Sequence, residues 1–242
     1  MPDTSVDDLK TAARHRVWDA LQSEGAAPPD VHGHIPSFFG AEQAAERLAA
    51  LDVWRAAAVI KANPDTAQLP VRIAAVNAGK LLFMAVPKLA TPEPFYRLDP
   101  AAIDAPIEVL ATSGGAAELA EKVGVDRMQP VDLIVCGSVA VNRAGVRVGK
   151  GAGYSDIEVA LLAEAGLIGP ATTIVTTVHD LQVVDDDLPE TEHDFSVDVI
   201  VTPNEVITCG PPRRPAGIIL DHLGPNQVAN IPVLGAFKAG SR

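Results

Sequence analysis

Cysteine is scarce in this sequence, since the 242 residues contain only Cys136 and Cys209. The two lie far apart and form no CxxC pair, which excludes zinc ribbons and thioredoxin-type redox motifs. Cys136 ends the apolar run VDLIVC, at residues 131–136. We therefore expect its thiol to be buried and unreactive.

Basic residues are also few: 19 lysines and arginines face 31 aspartates and glutamates, for a formal net charge of −12. A nucleic-acid-binding protein needs clustered basic charge to displace counterions from phosphates, and docking on an anionic membrane needs it too. The composition therefore argues against both partners. Solubility is the commoner reason for an acidic composition.

Long apolar runs are absent. No stretch approaches the roughly 18 consecutive apolar residues that cross a bilayer. The first ten residues, MPDTSVDDLK, lack the basic and apolar regions of a signal peptide. From these features we expect a soluble, cytoplasmic protein.

Short apolar, β-branched runs alternate with segments of helical periodicity along the chain. Helices are predicted at residues 6–23, 40–51, 66–78, 115–122 and 156–165. Strands are predicted at residues 56–61, 81–86, 107–110, 131–136, 173–178 and 197–202, with a hairpin at 139–148. This alternation predicts a Rossmann-like α/β fold, in which helices cover both faces of a mainly parallel sheet.

Neither an internal repeat nor a low-complexity linker divides the sequence. We therefore predict one domain over residues 1–242. The segment from about residue 211 is rich in proline, and we expect it to be peripheral.

The segment RVGKGAGYSD, residues 147–156, places three alternating glycines directly before a predicted helix. Without Cβ atoms, such a backbone can expose consecutive N–H groups to an oxyanion, and the helix start adds its own donors. Lys150 adds a cation, and Ser155 and Glu158 have the spacing of a capping box. The segment matches neither a Walker A loop nor the dinucleotide fingerprint. Two interpretations therefore remain: a phosphate-binding loop, and a turn that only redirects the chain.

Other candidate residues are basic or contain histidine. Lys10 and Arg14 are four residues apart and share a helix face, which indicates either an anion ligand or a solvated surface. His179-Asp180 follows a predicted strand, at the edge where α/β sheets bind ligands. Neither this pair nor His193-Asp194 has the spacing of a dedicated zinc site. Histidines without a companion cluster are most often structural.

Several segments resemble the 5-formyltetrahydrofolate cyclo-ligase family, also called methenyltetrahydrofolate synthetase. They are VDLIVCGSVAVNRAGVRVGKGAGYSDIEVALL, TTVHDLQVV, VDVIVTPNEVI and VHGHIPSFFGAEQAAERLAALDVW. The likeness is to the divergent branch of methenyltetrahydrofolate synthetase domain-containing proteins, and it runs from about Lys10 to about Pro232. It implies a three-layer α/β/α fold of the NagB/RpiA/CoA-transferase type, with ATP and Mg²⁺ as cofactors.

The resemblance also implies a reaction, the conversion of 5-formyltetrahydrofolate to 5,10-methenyltetrahydrofolate. In this family ATP phosphorylates the formyl oxygen, N10 attacks the activated carbon, and phosphate leaves. An amide oxygen is a poor leaving group until it is phosphorylated. Cations and backbone donors held in place stabilise the phosphoryl group during its transfer.

Matched to the family motifs, Lys10 and Arg14 would contact the ATP phosphates and residues 149–154 would form the phosphate loop. Lys150 and Asp156 are the implied catalytic residues, and Asp156 is also the implied magnesium ligand. The implied cofactor-binding residues are Lys10, Arg14, Arg147, Gly149, Lys150, Gly151, Ala152, Gly153, Tyr154 and Asp156.

The sequence departs from the family pattern at three places. Ile157 stands where the family has arginine, and Gln129 stands where the glutamate of the family's Gly-x-x-Glu-Pro segment would fall. Residues 137–139 read Gly-Ser-Val instead of Gly-Phe-Asp. The residues of the implied nucleotide site therefore match the family pattern better than the residues of the implied folate site do. Two alternatives follow: a paralogue that acts on a different amide or carboxylate, and a non-catalytic protein that binds a nucleotide or a folate.

Overall fold

A computed structural model describes residues 5–235 of the chain. Its α-helices are α1 (Val6–Ser23), α2 (Ala41–Ala49), α3 (Asp52–Ala56), α4 (Leu69–Asn77), α5 (Ile107–Leu110), α6 (Ser113–Leu119), α7 (Tyr154–Glu164) and α8 (Pro225–Asn230). Its strands are β1 (Val59–Ala62), β2 (Leu81–Ala85), β3 (Phe95–Leu98), β4 (Glu121–Val123), β5 (Leu133–Cys136), β6 (Ala140–Asn142), β7 (Arg147–Val148), β8 (Thr173–Thr177), β9 (Val183–Val184), β10 (Val199–Val201) and β11 (Val206–Thr208).

The main sheet has eight strands in the order β11-β10-β8-β5-β1-β2-β3-β4. The five strands from β10 to β2 are parallel to one another. The outer strands β11, β3 and β4 pair antiparallel. The predicted, mainly parallel sheet is thus confirmed, with antiparallel strands at its two edges.

Successive residues of the central strands point to opposite faces of the sheet, as the strand repeat of two requires. In β5, Leu133 and Val135 pack with α2 and α4, whereas Ile134 and Cys136 pack with α7. Two separate hydrophobic cores result, one on each face, and they confirm the three-layer α/β/α arrangement. Burial raises the pKa of the Cys136 thiol, as expected for an unreactive cysteine.

A second sheet of three strands has the order β7-β6-β9. The antiparallel pair β6–β7 is the predicted hairpin, but it lies in this small sheet and not in the main one. The glycine-rich segment leaves β7 and enters α7. The end of the hairpin therefore fixes the point from which the glycine-rich segment starts.

The structure corrects the prediction of a strand at residues 107–110, which form the short helix α5. Pro106 precedes this helix, and its carbonyl oxygen accepts from the backbone N–H groups of Val109 and Leu110. A four-residue apolar run does not by itself distinguish strand from helix. The helix predicted at 115–122 is α6, which ends at Leu119 and is followed by β4.

The segment after residue 211 is not peripheral throughout, contrary to the expectation from its proline content. Ile231 and Leu234 are fully buried in the core on the α7 side of the sheet. The backbone N–H of Ile218 donates to the Glu164 carboxylate at the end of α7, over 2.9 Å. This segment therefore forms part of the α7 layer up to residue 235, and its last residues lie outside the described range.

Of the helices within residues 5–235, none is long and apolar enough to cross a membrane.

Candidate functional site

A cavity of about 410 Å³ opens at the carboxyl ends of β1 and β2. Residues 63–65, which directly follow β1, and residues 86–88, which directly follow β2, line one side of it. The first helix and the glycine-rich segment, residues 149–153, line the other sides. Ligands of open α/β sheets bind at this edge, and the cavity volume falls in the usual range for small-molecule sites.

Two of the three glycines in this segment have a backbone conformation that favours glycine. Gly151 has a φ of +100° and Gly153 a φ of +72°. Gly149 has a close neighbour instead, since a Cβ there would lie 2.7 Å from Nη2 of Arg147. Gly153 is also the N-cap of α7, and residues 154–156, the first three of that helix, line the cavity. The loop and the first N–H groups of α7, which have no acceptor within the helix, thus lie at one place, as in phosphate-binding sites.

The predicted capping box of Ser155 and Glu158 is not formed. Helix α7 begins two residues earlier than such a box requires, with Gly153 at its N-cap and no side-chain cap. The Ser155 hydroxyl instead accepts a 2.7 Å hydrogen bond from Nδ2 of Asn63. The Glu158 carboxylate pairs with Lys61 of β1.

Helix α1 crosses the cavity and carries both predicted basic residues to it. Nε of Arg14 donates to the carbonyl oxygen of Gly149 over 2.7 Å. Its guanidinium carbon lies 3.3 Å from the place where a Cβ on Gly151 would stand. Lys10 lines the same cavity. The interpretation of a solvated helix face is therefore wrong, and the placement beside the glycine-rich loop is confirmed. That the two residues contact a phosphate stays a prediction.

Lys10 is buried, and its ammonium group donates to the carboxylate of Asp194. Asp194 also accepts from the backbone N–H and the hydroxyl of Thr191. These donors hold the pKa of the Asp194 carboxyl below its ordinary value, although burial acts in the opposite direction. The sequence showed Asp194 only as part of an acidic loop, so its partnership with α1 was not predicted.

Arg147 is a buried cation behind the glycine-rich loop. Its Nη1 lies 3.1 Å from Oδ1 of Asp156, and its guanidinium lies over the ring of Phe195, 4.5 Å from the centroid. Its Nε is buried and has no hydrogen-bond partner among the described residues. Burial raises the pKa of the Asp156 carboxyl, and the charge of Arg147 opposes that rise. Arg147 thus orients Asp156 at the start of α7.

The surroundings of Asp156 bear on its predicted role with magnesium. Within residues 5–235, no cluster of three or more histidine, cysteine, aspartate or glutamate side chains is suited to hold a metal ion. Mg²⁺ is usually bound through one or two carboxylates, with phosphate oxygens and water as its other ligands. Asp156 lines the cavity, and its side chain is 16% exposed. The residues present therefore fit a magnesium ion that arrives with a phosphate ligand.

Lys150 stands at the mouth of the cavity. Its ammonium group lies 3.1 Å from Oδ1 of Asp65, and its side chain is 39% exposed. An ion pair this exposed contributes little to stability, so the ammonium group can leave Asp65 and bind an anion of higher charge.

A buried polar network lies beneath the cavity and was not predicted. The ammonium group of Lys61 donates to the Glu158 carboxylate and to Oδ1 of Asn63. Asn63 in turn reaches Ser155 of α7. A lysine inside an otherwise apolar strand was the sequence signal of this network, because a buried lysine needs an anionic partner.

Arg72 of α4 holds the segment that follows β1 in place. It is 1% exposed, and its guanidinium donates to the carbonyl oxygens of Asn63, Asp65 and Ala111. Burial lowers the pKa of Arg72 to about 10, so it stays protonated at neutral pH. Two of these hydrogen bonds thus anchor the cavity wall at residues 63–65 to α4.

Lys88 lies at the rim of the cavity with a φ of +59°, and Leu89 follows with a φ of +51°. Side chains other than glycine rarely adopt this conformation, which costs of order 1–3 kcal/mol and is commonest at functional sites. The strained turn presents the Lys88 side chain to solvent at the cavity mouth. No spacing in the sequence indicated this lysine.

Two groups of residues considered from the sequence lie elsewhere. The ring of His179 packs against Phe38, and its Nδ1 accepts from the backbone N–H of Leu181. Gln129 and its neighbours do not line the cavity, and Arg127 pairs with Glu121 of the edge strand β4. Neither segment contributes to this site.

Three comparisons place the chain among known proteins. The model of the 5-formyltetrahydrofolate cyclo-ligase family matches residues 8–203. The methenyltetrahydrofolate synthase domain-containing protein of Mus musculus is 40% identical over 240 residues, an alignment that covers 96% of this chain and 64% of the mouse protein. The Homo sapiens protein of the same name is 36% identical over 247 residues, with coverages of 99% and 64%. The chain thus spans somewhat less than two thirds of these relatives.

The fold is similar to that of a solved structure, the 5,10-methenyltetrahydrofolate synthetase of Aquifex aeolicus. The TM-score is 0.54 at 22% identity, with 90% of this chain and 96% of the other chain covered. At that identity, the likeness bears on the fold alone.

Proposed function

The chain belongs to the 5-formyltetrahydrofolate cyclo-ligase family, and we propose that it binds Mg·ATP in the cavity at the glycine-rich loop and activates a substrate there. The proposed chemistry is phosphorylation of a formyl or amide oxygen on a folate-like small molecule. Bound Mg·ATP would supply the phosphoryl group that turns this oxygen into a leaving group.

The observation that carries the proposal is the convergence of anion-binding groups on one cavity. Two left-handed glycines and the start of α7 provide backbone N–H donors there. Five cationic side chains also line the cavity: Lys10, Arg14, Lys88, Arg147 and Lys150. Such groups suit a triphosphate, because they are in place before charge develops during phosphoryl transfer.

Each residue has a distinct proposed role. Lys150 and Arg14 would neutralise phosphate oxygens, since both lie at the loop. Asp156 would hold the magnesium ion, and Arg147 would keep Asp156 oriented and oppose its protonation. Lys10, which is tied to Asp194, would fix α1 over the cavity and add positive charge.

Replacing Lys150 with alanine tests the nucleotide site. We expect the Kd for Mg·ATP to rise about 10- to 150-fold, because a hydrogen bond to a charged group contributes about 1.5–3 kcal/mol. Titration calorimetry measures the change. Lys122→Ala, in the edge strand β4, removes the same charge away from the cavity and should leave the Kd unchanged. Equal affinity of the wild type and Lys150→Ala would refute the assignment.

A second candidate function is the activation of a different amide or carboxylate. Four of the carboxylates that line the cavity are already in ion pairs: Asp65, Asp156, Glu158 and Asp194. Asn63, at the end of β1, carries an amide that cannot act as a base. The family's arginine position is Ile157, whose side chain is buried among apolar residues. These features favour a substrate other than 5-formyltetrahydrofolate.

We therefore expect weak or absent turnover of 5-formyltetrahydrofolate despite binding of ATP. The measurement is the absorbance of 5,10-methenyltetrahydrofolate, whose conjugated amidinium absorbs where the substrate does not. Enzymes on their own substrates commonly reach on the order of 1 s⁻¹ or more, and we expect a rate well below that. Rapid, ATP-dependent product formation would instead identify a true cyclo-ligase. A wild type that binds no ATP would favour a non-catalytic folate-binding protein.

A further inference from the structure

A second cavity, of about 200 Å³, lies on the other side of the glycine-rich loop. The two cavities share the residues of the loop tip, 151–153, together with Asp7, Asp156 and His193. Ile157 and Ala160 of α7 form the inner wall of the second cavity. Residues 217–227 form its outer wall. A ligand that rests on the loop can therefore reach both cavities at once.

The outer wall lies beyond the part of the chain that the family model matches, which ends at residue 203. The alignment with the mouse relative nevertheless takes in 240 residues. Nε2 of Gln227 donates to the carbonyl oxygen of Ala152 over 3.1 Å, and Oε1 of the same amide accepts from the backbone N–H of Gly224. The wall is thus tied directly to the loop.

The charges that line the two cavities differ. Five lysine and arginine side chains line the first cavity, whereas none from the described residues lines the second. Asp7 and Asp156 line both cavities, and in the second no lysine or arginine of the described residues offsets these carboxylates, which disfavour an anion. A triphosphate therefore belongs in the first cavity and an uncharged group in the second.

The walls of the second cavity suit a flat aromatic ring with a polar edge. Ile157, Ala160, Ile219 and Leu223 supply apolar surface. His193 and His222 lie at its rim with their Nδ1 atoms 3.2 Å apart, and they offer both ring faces and polar nitrogens. Apolar walls with a few polar groups are typical of sites for small aromatic ligands.

We infer that the second cavity holds the base of the nucleotide whose phosphates the glycine-rich loop binds. This inference rests on the proposed nucleotide site and adds a subsite built partly by residues 217–227. The pterin ring of a folate has similar chemistry, but the shared loop favours the base, because the phosphates already occupy the boundary between the cavities.

The experiment fills the second cavity and compares two ligands. In Ala160→Leu, a larger side chain enters from α7. We expect the Kd for Mg·ATP to rise at least about fivefold, the loss typical of a displaced base. The Kd for inorganic tripolyphosphate, which has no base, should stay within about twofold of the wild type, as measured by the same calorimetry. Ala229→Leu, at an exposed position of α8, is the matched control and should change neither value.

A second variant, Ile219→Trp, fills the same cavity from its outer wall and keeps the test usable if Ala160→Leu does not fold. Unchanged ATP affinity in a folded, filled variant would overturn the base site while leaving the proposed nucleotide site intact. Loss of 5-formyltetrahydrofolate affinity alone would assign the cavity to the pterin and also overturn the inference. A wild type that binds neither ATP nor tripolyphosphate would overturn both proposals.

Discussion

Replacing Glu158 with glutamine is expected to lower the free energy of unfolding by about 3–5 kcal/mol. Glu158 is 4% exposed and Lys61 is fully buried, and the two are joined by an ion pair between α7 and β1. Without the carboxylate, the Lys61 ammonium has only neutral amide oxygens as acceptors and no counter-charge. A buried charge without a counter-charge is among the costliest defects that one substitution can introduce.

Chemical denaturation of the wild type and of Glu158→Gln measures this effect. Glu121→Gln is the matched control, because Glu121 pairs with Arg127 at the surface and both side chains are about half exposed. Exposed pairs contribute about 0–1 kcal/mol, so this control should change stability little. Equal stability losses for the two variants would contradict the importance of the buried pair.

A double variant distinguishes the charge defect from the loss of packing. In Lys61→Met/Glu158→Leu, both charges are replaced by apolar groups of similar size. Such replacements are often neutral or stabilising, so the double variant should be more stable than Glu158→Gln. A double variant that is less stable would show that the network itself, including Asn63 and Ser155, stabilises the fold.

Replacing Ile231 with alanine is expected to lower the free energy of unfolding by about 2–5 kcal/mol, the usual range for a fully buried isoleucine. Ile231 is 0% exposed and packs in the core on the α7 side of the sheet. The loss would show that the segment after residue 211 contributes to the core. The cavity beside the glycine-rich loop depends on the same segment, because Gln227 ties it to Ala152.

Thermal and chemical denaturation of Ile231→Ala provide the measurement. The adjacent Asn230 is exposed at the end of α8, so Asn230→Ala should stay within about 0.5 kcal/mol of the wild type. An Ile231→Ala protein as stable as the wild type would restore the view of this segment as a peripheral tail.

The parts of the fold that were predicted correctly depend on local patterns. Helix α1 spans Val6–Ser23 as its periodicity predicts, and the strands at 81–85 and 133–136 are continuous apolar runs. The one element predicted as the wrong type, residues 107–110, is a run of four residues with no period to distinguish the two forms. Local patterning thus determined the fold class, because it indicates which residues must be buried.

The candidate site was predicted in part for the same reason. The glycine-rich loop and the spacing of Lys10 and Arg14 are local features, and the structure brings them together. Asn63 and Asp65 were missed, since nothing in their own neighbourhood shows that β1 ends beside α7. The pairing of Asp194 with Lys10 was missed because the two residues are far apart along the chain.

The sequence by itself determined the α/β class, the resemblance to the cyclo-ligase family and the position of the glycine-rich segment. Only the tertiary structure decided which carboxylates pair with Lys10, Lys61 and Lys150, and that residues 217–227 form a wall of the second cavity. The physical reason is the range of the interactions. Helix periodicity and glycine conformations arise within a few residues, whereas ion pairs and cavities depend on the order in which the sheet arranges distant segments.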